Sequence, residues 1–398
     1  MEPLFTPPQL DGHDESVIAQ IDAMRAELSS LLRAPRRWQG TLRRAAQAKA
    51  IRGSNSIEGY LVSDEDAAAA VAGEPPLDAD RNTWEEITGY RRALTYVLNV
   101  ATSPGFVLDD SVIRSMHFML LEHELRKSPG NYRTGPIYVM GEHGPVYTGP
   151  PAERIPGLVA ALTEQCRRSD AAPLVKAALA HLNLVMIHPF RDGNGRMARA
   201  LQTLVLAQDH LLEPTFSSIE EWLGANTADY YAVLAATGAD AWRPERSTWL
   251  WVRFNLRAHH LQAQTVRRRF DEASRKWQAL DELVAAQGLP DRVADTLFSA
   301  SLGWRIGRPG YVKSTGLDER TATRDLARLV DAGALTPHGQ TRARHYTAGP
   351  TLRALNAAVA AQRRPLADPF PELTAEIHAQ AAQADQTPSV VSDWCPND

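Results

Sequence analysis

The sequence predicts a mainly α protein interrupted by a single β-hairpin. Apolar residues recur at helical spacing along most of the 398-residue chain, and no alternating strand–helix units run through it. Two short β-prone runs meet at one Gly-bounded turn, set apart in helical surroundings.

The elements follow in order. Residues 15–32 place Val17, Ile18, Ile21, Met24, Leu28, Leu31 and Leu32 on one face of period 3.6. Residues 38–51 continue as a basic, Ala-rich helix, and a further helix spans 84–100 after the loop 73–80. Asp109-Asp110-Ser111 supplies N-cap chemistry for a helix near 112–124. Ile137-Tyr138-Val139-Met140 and Pro145-Val146-Tyr147-Thr148 then flank Gly141-Glu142-His143-Gly144, which reads as the hairpin. Two strands alone are at best marginal in water, so this hairpin should lie over something. Helices resume over 156–167 and 173–187. The second runs into His188-Pro189, where proline disfavours helical geometry for His188. A helix starting at Asn194 turns Met197, Leu201, Leu204 and Val205 inward, and helices over 219–236 and 247–287 follow. At Gly288-Leu289-Pro290-Asp291 the character shifts. The tail, 368–398, is rich in Ala, Gln, Pro, Asp and Ser and is expected to be disordered.

A formal net charge of −4 excludes a chain that binds polyanions as a whole. Cys166 and Cys395 are far apart, which argues against a disulfide scaffold and fits a reducing compartment. The first residues lack a basic and apolar leader, and no apolar stretch reaches membrane length. The expectation is a cytoplasmic protein without membrane contact.

The loop 188–199, His188-Pro189-Phe190-Arg191-Asp192-Gly193-Asn194-Gly195-Arg196-Met197-Ala198-Arg199, gathers a base, a carboxylate, a glycine-rich turn and several arginines. Gly193 and Gly195 allow close backbone approach to an anion, and the helix from Asn194 points free N–H groups and its positive end at it. Asp192 can hold Mg²⁺ jointly with phosphate oxygens. Arg196 and Arg199, three residues apart, offer phosphate-matching guanidinium forks on neighbouring positions of one helix face. A neutral His188 can take the proton of an attacking hydroxyl. These parts add up to in-line attack on a phosphate. A metal hydrolase built on His181, His188 and Asp192 is a competing reading, and a P-loop is excluded because no Gly-x4-Gly-Lys-Ser/Thr occurs.

The segment resembles the signature of Fic-domain proteins, His-Pro-Phe-x-Asp/Glu-Gly-Asn-Gly-Arg-x-x-Arg, at every fixed position. Similarity extends over about 3–260, including Pro129-Gly130-Asn131-Tyr132-Arg133 and Tyr230-Tyr231. The resemblance implies a Fic helical core with a β-hairpin flap, and AMP transfer from MgATP to a Ser, Thr or Tyr hydroxyl of a protein, with self-modification compatible. On it, His188 is the general base, Phe190 anchors the loop, and Asp192 binds the metal. Gly193, Asn194 and Gly195 form the anion hole. Arg196 meets the α/β-phosphates, Arg199 the γ-phosphate, and Tyr231 lines the adenine pocket. The 135–149 hairpin resembles the flap that aligns a target by strand-like pairing.

Ser54-Asn55-Ser56-Ile57-Glu58-Gly59 resembles the family's inhibitory motif, Ser/Thr-x-x-x-Glu-Gly/Asn. Ser54 and Glu58 would share a helix face, and a carboxylate meeting Arg199 would occupy the guanidinium the γ-phosphate requires. Relatives in which the same Glu helps remove AMP make a de-AMPylating hydrolase an alternative.

Residues 288–367 read as helices followed by a hairpin over 336–347 with Gly339 at its tip, which resembles a winged helix-turn-helix. Between 301 and 346 eight Lys/Arg face four Asp/Glu, with Arg320, Arg324, Arg342 and Arg344 as candidate DNA contacts. Such modules also serve protein contacts or a homodimer, so a DNA-binding regulator that only senses nucleotide is the other alternative. The expected domains are 1–100 with the inhibitory motif, 101–287 as catalytic core and following helices, 288–367, and the tail 368–398.

Overall fold

The computed structural model describes residues 2–141, 144–340 and 344–385. The chain runs through α1 (Gly12–Arg33), α2 (Gln39–Ile57), α3 (Asp64–Ala72), α4 (Arg81–Val100) and α5 (Asp110–Leu121). The hairpin β1 (Tyr138–Gly141) and β2 (Gly144–Thr148) comes next, then α6 (Ile155–Arg168), α7 (Pro173–Ile187) and α8 (Asn194–Ala207). Short helices α9 (Pro214–Ser217) and α10 (Glu220–Ala225) lead into α11 (Thr227–Gly238) and the 38-residue α12 (Trp249–Ala286). The remainder is α13 (Ala294–Ser301), β3 (Ile306–Gly307), α14 (Arg308–Thr315), α15 (Glu319–Asp331), β4 (Leu335–His338), β5 (His345–Ala348), α16 (Pro350–Ala360) and α17 (Leu373–Asp385).

α7 is apolar nearly all round and buried on nearly every side, so it forms the axis of the main core. α8 packs back along it, and α4, α5, α6, α11 and the first half of α12 close around the pair. Asn183 on α7 straps the N-terminal segment down: its Oδ1 accepts from Phe5 N at 2.9 Å and its Nδ2 donates to Phe5 O at 3.1 Å. Phe5 is fully buried as a result.

A second apolar cluster joins Leu28, Trp38 and Leu42 to Phe270, Leu280, Phe298, Leu326, Leu335 and Leu352. The change of character expected at Gly288 is a helix end, with Gly288 at φ 57°. Packing nevertheless runs across it, because α12 belongs to both clusters. In the C-terminal part the strands order β3-β5-β4, with α13 before β3, then α14, α15 and the β4–β5 hairpin. Asp318 caps α15 through Thr321 N at 2.9 Å.

Three expectations are corrected. The tail is helical over 373–385: Phe370, Leu373 and Ile377 are buried, Asp368 pairs with Arg257 at 2.7 Å, and α17 lies on α11. Burial of that apolar stripe overrides a polar composition; residues 386–398 lie outside those described. The helix expected over 219–236 breaks at Asn226, whose φ −126° and ψ 39° are not helical. α2 continues six residues past 51, to Ile57. α3 and the short β3 were not anticipated. The hairpin does lie over something. Tyr147 is buried with its hydroxyl on Met186 O at 2.6 Å, and Thr148 N donates to Asp240 O at 2.8 Å. The tip residues Glu142 and His143 fall outside the described ones.

Candidate active site

The site begins where α7 ends. His188 sits in the left-handed region, at φ 50° and ψ 58°, and its N–H closes the last turn on Leu184 O. This sharp exit turns the chain away from the helix axis within one residue. The turn's carbonyls are gathered by one buried guanidinium: Arg133 Nε donates to His188 O at 2.8 Å and Nη2 to Pro150 O at 2.6 Å, while Arg133 N bonds Pro189 O at 2.9 Å. The imidazole of His188 has Nδ1 at 3.0 Å from Val185 O. A carbonyl can only accept, so Nδ1 carries the proton and Nε2 of the neutral ring keeps its lone pair. Burial holds the ring's pKa below its ordinary value, only partly offset by the Val185 carbonyl. His188 is thereby set as a base at neutral pH.

The next residues form a clamped loop. Phe190 is fully buried, and Asn194 holds it at both backbone groups, Oδ1 accepting from Phe190 N and Nδ2 donating to Phe190 O, each at 2.9 Å. His117 stacks on the Phe190 ring at 3.7 Å between centroids. Gly130 N donates to His117 Nδ1 at 2.9 Å, so Nε2–H is left to donate to Asp192 O at 3.1 Å. Burial pushes the His117 pKa down to about 4, keeping the tautomer neutral.

Gly193, at φ 76°, is the N-cap of α8, and no side chain caps that helix. The N–H groups of its first turn therefore remain available to an anion. Glu58 and Arg199 close directly on the backbone of Gly195: an added Cβ would stand 2.5 Å from Glu58 Oε1 and 3.2 Å from Arg199 Nη1.

Arg199 is fully buried and gripped by the end of α2. Its Nη2 lies 2.7 Å from Glu58 Oε1 and 3.0 Å from Ser54 O, and Nε donates to Ser54 Oγ at 2.7 Å. Nη1 is buried without a partner among the described residues. Ser54 and Glu58 thus both meet Arg199, and the Glu58 carboxylate lies against the Gly195 backbone.

Arg196 is placed otherwise than expected. It is buried, with Nη1 at 2.5 Å from Glu86 Oε2 and its guanidinium over the Tyr60 ring at 5.3 Å. Glu86 also takes Lys127 Nζ at 2.9 Å, and the same ammonium reaches Asp192 Oδ2 at 2.7 Å. Burial opposes ionisation of Glu86, but Arg196 and Lys127 prevail and hold its pKa at about 2. Burial likewise opposes charge on Asp192, and Lys127 more than offsets it, so the Asp192 carboxyl stays below its ordinary value.

Tyr231 is 48% exposed and donates to Ile57 O at 3.0 Å, so it touches the end of α2 directly. His181 belongs to the core: Nδ1 bonds Gln202 Oε1 at 2.6 Å and Nε2 bonds Tyr230 Oη at 2.9 Å. Both nitrogens are used, which overturns the metal hydrolase reading. No cluster of three metal-ligating side chains occurs among the described residues. Asp192 already carries a cation, the Lys127 ammonium, so a divalent ion shared between this carboxylate and phosphate oxygens suits the donor set, whereas an all-protein cage does not.

Sequence reasoning missed Glu86, Lys127 and His117 and gave Arg133 no role. Charged residues at helical spacing ordinarily face water, so nothing in the sequence set these apart.

Residues 107–206 match the Fic/DOC family. The chain is 32% identical over 204 residues to the protein adenylyltransferase Fic of Drosophila willistoni, covering 48% of this chain and 38% of that one. It is 29% identical over 210 residues to the protein adenylyltransferase Fic of Nematostella vectensis, covering 50% and 46%. The match therefore spans less than half the length of these relatives. A solved Fic family protein from Desulfovibrio desulfuricans G20 shares the fold with a TM-score of 0.55 at 22% identity, covering 88% of this chain and 99% of that one. Among the described residues no helix is long and apolar enough to cross a membrane.

Proposed function

Residues 107–206 being a Fic/DOC-family domain, we propose that the chain is a cytoplasmic protein adenylyltransferase restrained by its own Glu58. The observation that carries this reading is an anion already seated in the cradle: the Glu58 carboxylate bonds Arg199 and covers Gly195 at the open start of α8. A site that holds a carboxylate by a guanidinium and a helix N-terminus suits a phosphate of ATP.

In the reaction, Nε2 of His188 takes the proton of a Ser, Thr or Tyr hydroxyl as its oxygen attacks the α-phosphorus. The new P–O bond forms as the bond to the β-phosphate oxygen breaks, and pyrophosphate leaves. Asn194 and Gly195 present N–H groups to the phosphates, while Gly193 N donates to Asp192 Oδ1 at 2.6 Å and holds that carboxylate at the turn. Arg199 binds the γ-phosphate once Glu58 withdraws, and Arg196 adds its charge from behind Tyr60. Asp192 would hold Mg²⁺, which when bound would neutralise charge on the phosphates. Tyr231 stands at the adenine side. The β1–β2 hairpin, anchored at Tyr147 and with Tyr138 and Val146 exposed, aligns the target segment.

The test compares wild type, His188→Ala and Glu58→Gly with ATP labelled at the α-phosphate. Covalent label on the chain or a target that vanishes in His188→Ala is the expected result; label that persists removes the transferase. Glu58→Gly is expected to label more strongly, and unchanged labelling with His188 intact removes the restraint.

A second reading concerns residues 288–367. The order helix, strand, two helices and hairpin suits a winged helix-turn-helix, and α15 exposes Arg320, Thr323 and Arg324 on one side. Arg344 is exposed beyond β4, and Arg342 lies outside the described residues. A salt-dependent shift of duplex DNA that Arg320→Ala and Arg324→Ala abolish would support DNA binding; no shift at low salt rejects it.

A further inference from the structure

Away from the catalytic loop, α2 and α12 face each other across a cavity of about 300 Å³. Leu42 and Ala46 on α2, Phe216 on α9 and Val266 on α12 form its apolar wall. The rest is cationic: Lys49, Arg268, Arg269, Lys276 and Arg363 line it, with Glu272 as the acidic side chain among the lining residues. Glu272 is already committed, its two oxygens taking Arg363 at 2.7 and 3.0 Å.

Lys276 is the unusual member. It is only 9% exposed, and its ammonium donates only to Ser301 O, at 3.4 Å, among the described residues. An ammonium has three donors, and a buried charge held by one long bond calls for an anion. Arg268 makes no ion pair among the described residues. Outside, Arg268 and Arg363 also border an open groove of about 820 Å³ that adds Arg267, Arg275 and Arg364 against Asp271. Such a groove draws anions toward the inner cavity.

From this we infer that the cavity binds an amphiphilic anion, an apolar and preferably aromatic body bearing one sulfonate, carboxylate or phosphate, and that its occupancy acts on α2. The size suits a small organic ligand. The anionic group meets Lys276 and Arg268 while the body lies on Leu42, Ala46, Phe216 and Val266. The connection to α2 runs through Glu221, which Arg269 grips at 2.5 and 2.6 Å and Lys49 approaches at 3.8 Å. Glu221 opens α10, and α10 is the helix on which α2 rests at Gly53 and Gly224, directly beside Ser54. Lys49 and Arg269 line the same cavity, so an anion seated on Lys276 and Arg268 also draws them from Glu221, which loosens this support and, with it, the hold of Ser54 and Glu58 on Arg199. That second half rests on the restraint proposed above; the binding site does not.

Isothermal titration of the full chain with 8-anilinonaphthalene-1-sulfonate, and with its uncharged parent N-phenyl-1-naphthylamine, tests the site. One sulfonate per chain is expected, binding about tenfold or more tighter than the neutral parent. Lys276→Met should weaken the sulfonate by a similar factor, and Ala46→Trp should abolish binding by filling the cavity, both with unchanged circular dichroism. No saturable site, equal binding of the two probes, or indifference to both variants overturns the proposal. In the second arm, the sulfonate should raise self-labelling by ATP in wild type and leave Lys276→Met and Glu58→Gly unmoved. Binding without that rise refutes the action on α2. If Glu58→Gly itself labels no more than wild type, the restraint fails while the titration still decides the site.

Discussion

Arg196 and Arg199 lie one turn apart on α8, are equally buried, and each meets a carboxylate from the N-terminal helices. The carboxylates differ. Glu86 is 1% exposed and is also bonded by Lys127 and Tyr60, at 2.9 and 3.2 Å. Glu58 is 27% exposed, caps the end of α2 just before Gly59 at φ 84°, and makes its one ion pair among the described residues with Arg199. A charge enclosed on every side can leave only by unfolding its surroundings, because removing one member strands the other in low dielectric. A carboxylate at a helix end, 27% exposed, can turn into water without unfolding its surroundings, and Ser54 stays on the guanidinium it leaves. The same chemical pair is therefore scaffold in one place and, in the function proposed above, latch in the other.

The largest effect bears on what the latch guards. His188→Ala should lower AMP transfer by about 10²–10⁴-fold, read by labelled ATP, with little change in thermal stability. The contrast between the two pairs is then broken or kept by denaturant unfolding. Glu86→Ala should cost about 3–5 kcal/mol, because Arg196 is left buried and unpaired. Glu58→Gly should cost less than that, because Ser54 still bonds the Arg199 guanidinium, while raising transfer. Equal losses would erase the distinction.

Acid sharpens it further. Neutral His117 supplies stability that is complete above its ordinary pKa of 6.5 and drains as pH falls toward about 4, since the unfolded chain protonates first. Glu86 supplies stability present above 4.5 and lost as pH falls toward about 2. Urea midpoints across this range should fall in both windows, and Glu86→Gln should remove the lower one. The smallest effect is on the latch itself. Tyr231→Phe deletes the bond to Ile57 O, about 0.5–1.5 kcal/mol, and should raise basal labelling a few-fold, with no added effect in Glu58→Gly.

The loop 188–199 was legible because its chemistry is contiguous: a proline that ends one helix, glycines that start the next, and polar groups between them. That Ser54 and Glu58 would act together was legible because they repeat at helical spacing before a glycine. Glu86, Lys127 and His117 were not, since each reaches the loop from a separate element and looks, in its own helix, like an ordinary polar position. The helix at 373–385 did leave a signal. Phe370, Leu373 and Ile377 stand three and four apart, a stripe that composition averaged over the tail concealed.

By itself the sequence settled that most of the chain is helical, which backbone turns glycine and proline demand, and which groups could perform the chemistry, because those depend on neighbours a few residues away. Only the tertiary structure decided that Arg196 faces Glu86, that Arg199 faces Glu58, and how far each pair is removed from water. Coulomb attraction and desolvation depend on distance and surroundings in space, and residues more than a hundred positions apart share those only after the core has packed.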